Sequence, residues 1–200
     1  SGAWEVIGFA AAELVAPGRY RLSQLLRGLE GTGPSVGAAP IGSRVMLLDS
    51  RVATLGIEPA WLGETRALRL YAGSADLTGT TLALAVDPGP ALPLPPVHLR
   101  ARRAPGGDIA LTWTRCSRAD GDGWGLAEAP LEHVPEAYHV AILDDGTARR
   151  VIETTLPHAV YSSADQLLDF GSLPASFSFT IAQRSPVLGA GHAATGEFHG

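Results

Sequence analysis

Asp108-Ile109-Ala110-Leu111-Thr112-Trp113-Thr114 decides the fold of this 200-residue chain. Side chains alternate across an extended backbone, so Ile109, Leu111 and Trp113 share one face and Thr112 and Thr114 the other. That period of two predicts a half-buried strand with Trp113 in a core. The same reading extends outward in both directions. Val97 to Arg103 precedes it as a strand, joined through the Pro105 to Gly107 turn. Tyr138 to Leu143 and Ala148 to Thr155 follow, linked by a hairpin turn at Asp144-Asp145-Gly146. Pro157 to Tyr161 and Ser176 to Gln183 bring the set to about seven strands, with a turn signal every 8–12 residues or so, which is the pattern of a β-sandwich.

The first half is also read as β-structure. Strands are expected at Trp4 to Phe9, Gly18 to Leu26, Ser43 to Leu48, Thr65 to Ala72 and Thr80 to Val86, with a weaker run, more turn than strand, at Val52 to Leu55. The leucines of Arg66-Ala67-Leu68-Arg69-Leu70-Tyr71 and of Thr80-Thr81-Leu82-Ala83-Leu84 fall two apart and would line one face. Gly31 to Gly42 is a loop by composition. With 24 Gly and 15 Pro, few stretches could sustain a helix of three turns. The expected class is all-β.

Between the halves, the stretch from Asp87 to Pro96 holds five prolines in ten residues. Proline cannot donate a ladder hydrogen bond and favours extended polyproline geometry, so this stretch predicts a stiff spacer. It sets the expected organisation as a small β domain over 1–90 and a sandwich over 91–200. The chain opens at Ser1-Gly2 without an initiator Met, and so reads as a segment of something longer.

Composition narrows the function. Hydrophobic residues make up 46% and charged residues 18%, enough for true cores and too apolar for a disordered chain. Net charge is −5 and all 15 basic residues are Arg, so no electrostatic footprint for nucleic acid is expected. The densest basic group, Arg100, Arg102 and Arg103, cannot share one strand face, because Arg103 points away from Arg102. It is read as a strand edge whose charges block aggregation. No apolar run reaches the roughly 20 residues of a membrane span. Cys116 is the sole cysteine, excludes an intrachain disulfide, and reads as a small packed residue.

No catalytic constellation stands out. There is no Gly-x-Ser-x-Gly elbow, and the loop Gly28 to Gly33 lacks the Lys that a phosphate cradle requires. Asp120-Gly121-Asp122-Gly123 suggests calcium, but Trp124 occupies the fifth position, where an oxygen donor is needed, and Leu131 the twelfth. A solvated loop is the better reading. The six His residues show no i, i+4 pair for zinc. No cofactor and no metal are expected, and the chain is read as non-enzymatic. Trp124 and Trp61 sit among Gly and acidic residues. They, with Asp120 and Asp122, are the candidate contacts for a sugar or a partner protein, against a plainer role as lids on a core.

Two resemblances add to this. Trp113, Tyr138-His139-Val140-Ala141-Ile142, and Phe177 to Ala182 followed by Gly189-Ala190-Gly191 resemble the core tryptophan, the Tyr-x-Val strand and the penultimate strand with its Gly-containing turn in fibronectin type III domains. The insert Ala119 to Pro135 and the polar stretch Ser162 to Asp165 depart from that pattern. Over nearly the whole chain, Trp4 to Phe9, Glu13-Leu14-Val15, Tyr20 to Gly28 with Gly31-Thr32, Pro95 to Leu99, Trp113-Thr114-Arg115, Asp120 to Trp124 and Asp169-Phe170-Gly171 resemble the C-terminal part of large tail-tip proteins of alphaproteobacterial gene transfer agents and related phages.

That resemblance implies a structural or attachment module of a baseplate hub or fibre-like protein in a virion or virion-like particle assembled in the bacterial cytoplasm. The implied partners are other tail proteins, copies of itself in a homotrimer, and a host surface glycan. A carbohydrate-binding module touching cell-surface glycan or peptidoglycan is the alternative. Arg27 and Arg115 are expected in interface or inter-strand pairs, or in plain surface salt bridges.

Overall fold

The computed structural model describes residues 4–119, 125 and 128–200. The chain divides into two compact units, Ser1–Ala91 and Leu92–Gly200.

The N-terminal unit consists of two separate hairpins. β1 (Val6–Ala16) and β2 (Arg19–Leu29) pair antiparallel, turning at Pro17-Gly18, where Gly18 takes φ +70°. β1 runs well past the Phe9 limit expected from sequence, because the weak β-formers Ala10 to Ala12 sit opposite a partner along their whole length. β3 (Thr65–Leu70) and β4 (Thr80–Ala85) form the second hairpin, with Leu68 opposite Leu82. Its loop is organised by Asp76, whose carboxylate accepts from the backbone N–H groups of Ala72, Thr78 and Gly79 at 2.8–3.0 Å. Those three donors, Gly79 foremost, hold the Asp76 carboxyl below its ordinary range.

The strand expected at Ser43 to Leu48 is absent. The segment is irregular, and Val45, Met46, Leu47 and Leu48 are exposed. An apolar run becomes a strand only where a neighbour supplies ladder hydrogen bonds, and none among the described residues does. Val86 is the one buried apolar side chain described in this unit.

The C-terminal unit is a two-sheet sandwich. β5 (Val97–Arg103), β6 (Ile109–Thr114) and β9 (His158–Tyr161) form one sheet in the order β5-β6-β9. β7 (Tyr138–Asp144), β8 (Thr147–Thr154), β10 (Ser176–Ser185) and β11 (Gly189–His199) form the other, in the order β11-β10-β7-β8. Between them lie Ile109, Leu111, Trp113, Tyr138, Val140, Ile142, Tyr161, Phe177, Phe179, Ile181 and Phe198. Each strand contributes alternate residues, as the sequence period requires. Trp113 is 6% exposed and meets Tyr138 edge-on with ring centroids 5.1 Å apart. Three strands facing four in this order, with the Trp on the second and the Tyr on the third, make the unit a fibronectin type III-like sandwich. The β7–β8 turn has Asp145 at φ +46° and Gly146 at φ +77°, the geometry that matches a right-twisted hairpin.

Two features were not expected. The polar stretch at Ser162 opens a helix, α1 (Ser163–Phe170), whose N-cap Ser162 accepts from Asp165 N and whose C-cap Gly171 is left-handed. Gln166 on α1 is fully buried; its Nε2 donates to Gly107 O and Tyr161 O, and its Oε1 accepts from Arg103. The proline stretch is also not spacer throughout. Pro93 is fully buried, and its carbonyl accepts from His192 N. A Cβ on Gly191 would lie 2.5 Å from Pro93 Cβ, so that position needs glycine.

Candidate interaction surfaces

Trp61 ends a short 3-10 turn, Pro59–Trp61, and is half-buried. The Arg66 guanidinium lies 5.6 Å from its ring centroid, and Arg66 also pairs with Glu64 at 2.7 Å. One face of the indole is therefore engaged inside the chain, in a cation–π contact. The companion candidates Trp124, Asp120 and Asp122 lie outside the described residues, as does the Asp120 to Gly123 run read for calcium. Among the described residues no cluster of three or more His, Cys, Asp or Glu has metal-holding geometry. Cys116 is half-buried, and burial pushes its thiol above the ordinary range.

The β1–β2 ribbon presents a different surface. Residues directly opposite in an antiparallel pair lie on the same face. Gly8/Leu26, Ala12/Leu22 and Leu14/Tyr20 line one side; Phe9/Leu25, Ala11/Ser23 and Glu13/Arg21 line the other. The first side is apolar, the second apolar at Phe9/Leu25 and polar toward the turn, and both are open: Leu14, Tyr20 and Leu26 are each 60–64% exposed, and Phe9 and Leu25 41% and 47%. β1 pairs only with β2, so each strand also carries one unpaired edge.

The base of this ribbon is clasped by the residues that carry the tail-protein resemblance. Arg27 donates from Nε to Glu5 Oε1 at 2.6 Å and from Nη2 to Glu5 Oε2 at 2.5 Å, and also reaches Gly37 O at 2.7 Å. Gly28 N donates to the same carboxylate, and Arg27 holds the Glu5 carboxyl below its ordinary range. Thr32 Oγ1 accepts from Val6 N at 3.0 Å and donates to Leu29 O at 2.6 Å. Gly31, at φ +76°, could carry no Cβ, since one would fall 2.5 Å from Pro90 Cα. The sequence pointed to Arg27 as a pairing residue without naming its partner; Glu5 stood only within the Trp4 to Phe9 block, and its role depends on a contact 22 residues away.

In the sandwich, the charged groups brace loops. Arg115 donates to Ala129 O, Glu128 and Glu136, and Glu136 also accepts from the Tyr138 hydroxyl at 2.6 Å. Arg150 forks onto Asp169 at 2.7 and 3.0 Å and pairs with Asp165 at 3.0 Å. Asp169 takes a further bond from Tyr161 at 2.8 Å. Arg150, and secondarily the Tyr161 hydroxyl, hold the Asp169 carboxyl below its ordinary range.

With this geometry in place, the similarities to known proteins are as follows. Residues 1–46 match the family model described as Rcc01698-like, C-terminal. The match covers the β1–β2 ribbon and its clasp. No curated protein matches the chain. Among solved structures, one titled as the structure of FN3tt mut is 17% identical, covering 54% of this chain and 96% of that one, with a TM-score of 0.36. The rat CD45 extracellular region, domains d3-d4, is 10% identical over 95% of this chain and 94% of that one, TM-score 0.35. The chicken CNTN1 FN1-FN3 domains are 15% identical over 60% of this chain and 37% of that one, TM-score 0.37. The sandwich assignment rests on strand order and register, not on these scores.

Proposed function

We propose that this chain is a non-catalytic structural and attachment module of a phage-like tail tip, part of a baseplate hub or fibre-like protein of a virion or gene-transfer particle. In it the N-terminal unit docks against other tail proteins and further copies of the chain. The sequence blocks that resemble tail-tip proteins support this reading, and the family match over residues 1–46 falls on the first of those blocks.

One observation carries it. The ribbon is apolar along one face and over the Phe9/Leu25 end of the other, and is covered on neither, a state that is marginal for a lone hairpin in water. Area gives the same answer. The chain exposes 13834 Å² at 20.8 kDa. Two separately folded domains of half that mass would expose about 10,800 Å², roughly 3,000 Å² less. A permanent complex buries about 2,000–5,000 Å² in total, roughly 1,000–2,500 Å² on each partner, so one such interface would cover a large part of the surplus and not all of it.

The non-catalytic part of the reading is supported by where displaced pKa values occur. Glu5, Asp49, Asp76, Arg150 and Asp169 owe their shifts to bonds that brace a turn, a clasp or a helix, while burial pushes up Cys116 and the core hydroxyls of Tyr138 and Tyr161. Groups displaced for chemistry face a cleft.

Amide hydrogen exchange tests the proposal. In the isolated chain the β1 and β2 amides should exchange far faster than those of β7 and β10. In intact particles they should be protected. Ribbon amides equally unprotected in both settings would sink the docking role, and absence of this segment from the tail tip in an image of the particle would sink the location.

A further inference from the structure

Arginine bookkeeping singles out one face of the sandwich. Of 15 Arg, nine stand in ion pairs with Asp or Glu. Arg69 donates to Thr78 O, and Arg103 to Gly107 O, Gln166 and Pro174 O while stacking on Phe198. Four remain with no bonding partner among the described residues: Arg19, Arg44, Arg100 and Arg102. The last two are neighbours, two residues apart on β5 and both exposed. They stand about 6.8 Å apart along the strand. In an acidic chain that pairs nearly every other guanidinium, two like charges left side by side are a cost with no internal compensation.

Their surroundings combine an apolar row beside Arg102, where Ala110 and Val160 stand opposite, with a polar row beside Arg100. Leu99 and Ala101 turn into the core, so Arg100 and Arg102 point outward. Register places Thr112 opposite Arg100 and His158 opposite Thr112, a row across all three strands. His98, at φ +54°, lies in a register shift between Val97 and Arg100, the kind of bulge that re-aims side chains beside binding sites. His98, Arg100, Thr112, Trp113 and Thr114 line a shallow depression of about 370 Å³. It is an open surface hollow and not an enclosed pocket, a shape that suits a polymer lying across the sheet.

We propose that this outer face of the β5–β6–β9 sheet binds an anionic polysaccharide, with Arg100 and Arg102 taking successive carboxylates or phosphates and the Thr112 and Thr114 hydroxyls bonding the ring. Guanidinium is suited to both acid groups, through paired N–H donors. Single-stranded nucleic acid fits less well. It needs aromatic platforms for its bases, and the Trp113 ring is turned into the core. The site gives the attachment reading above its ligand class and rests on that reading only for the polymer's cellular source. A particle carrying the segment at its tail tip while the chain binds no anionic polymer would sink this site alone.

The test titrates the whole 200-residue chain calorimetrically with polygalacturonate, with a phosphomannan, with neutral dextran and with single-stranded oligothymidylate. Saturable binding to polygalacturonate or to the phosphate polymer, weakened by salt and absent for dextran, is expected; the two arms separate carboxylate from phosphate recognition. R100Q/R102Q should lose about tenfold or more in affinity. R19Q/R44Q, which removes the same charge elsewhere, should change it by about twofold or less. Amide shift changes in the wild-type chain should centre on Arg100, Arg102, Thr112 and His158, a readout that needs no variant. Any one of four results overturns the proposal: equal binding to dextran, equal loss in the two double variants, tighter binding to the oligothymidylate, or no saturable binding to either anionic polysaccharide. The last, with increased aggregation of R100Q/R102Q, would leave the two arginines as guards of an open strand edge.

Discussion

The two units make opposite use of the same residue types. The sandwich takes alternating Ile, Leu, Val, Phe, Tyr and Trp and encloses them between a three-stranded and a four-stranded sheet. The N-terminal unit takes a comparable supply of Leu, Val, Phe and Tyr and leaves most of it in solvent, spread over two hairpins that share no sheet. Hairpin formation is efficient in both units, so strand propensity is not what separates them. The difference is whether a second sheet from the same chain is there to close over the first. Hydrophobic stabilisation comes from area removed from water, and a ribbon with two open faces removes little. The sandwich core is thus removed from water within its own chain, whereas the ribbon gains little from burial of its own apolar faces.

The contrast breaks first at the core. Trp113→Ala should destabilise the C-terminal unit by about 3–5 kcal/mol, by loss of transfer energy plus a cavity. Far-UV circular dichroism in a urea series would measure it, and an unchanged midpoint would mean the sandwich register is wrong.

Next in size is Asp169→Asn, which removes a carboxylate holding Arg150 and Tyr161 and should cost about 2 kcal/mol. Its pH dependence has a definite sign. The folded carboxyl lies below its unfolded value, so its stabilisation is complete above the unfolded pKa, near pH 4 or so, and fades as pH falls through the folded value. The stability gap between wild type and variant, followed by denaturation from neutral pH downward, should narrow only in that acid window. A constant gap would assign the effect to packing.

At the small end stand ribbon truncations. Leu14→Ala or Leu22→Ala should change the unfolding free energy of the isolated chain by about 0.5 kcal/mol or less, yet weaken incorporation into particles. A cost as large as that of Trp113→Ala would show that the ribbon is buried within the chain. Arg27→Gln, smaller still in its effect on the sandwich, should speed proteolysis within residues 1–46 while leaving the melting temperature of the C-terminal unit unchanged.

Much of the sandwich was legible because alternation is a local property. Ile109, Leu111 and Trp113 point inward in any strand that starts where this one does, and Asp145-Gly146 turns as its residue types require. α1 was hidden because its helix signal is short, and its stability comes from a cap, a buried Gln166 and the packing of Phe170, which are tertiary. Pro93 reads as spacer but packs beside Gly191, a contact across 98 residues that composition does not encode. The candidate surfaces were less legible. Trp61 was visible as a residue; that Arg66 lies over its ring was not. Arg100 and Arg102 were visible as a pair, but their lack of partners emerges only once every other arginine has found its own.

By itself, the sequence determined which side chains alternate, where its prolines cluster between the halves, and that no phosphate-cradle lysine or intrachain disulfide is available. Only the tertiary structure decided which apolar faces are closed and which stay open, why Glu5 matters to Arg27, and which cations remain unpaired. The physical reason is range. Periodicity and turn chemistry act over a few residues, whereas coverage and charge pairing depend on groups brought together from distant parts of the chain.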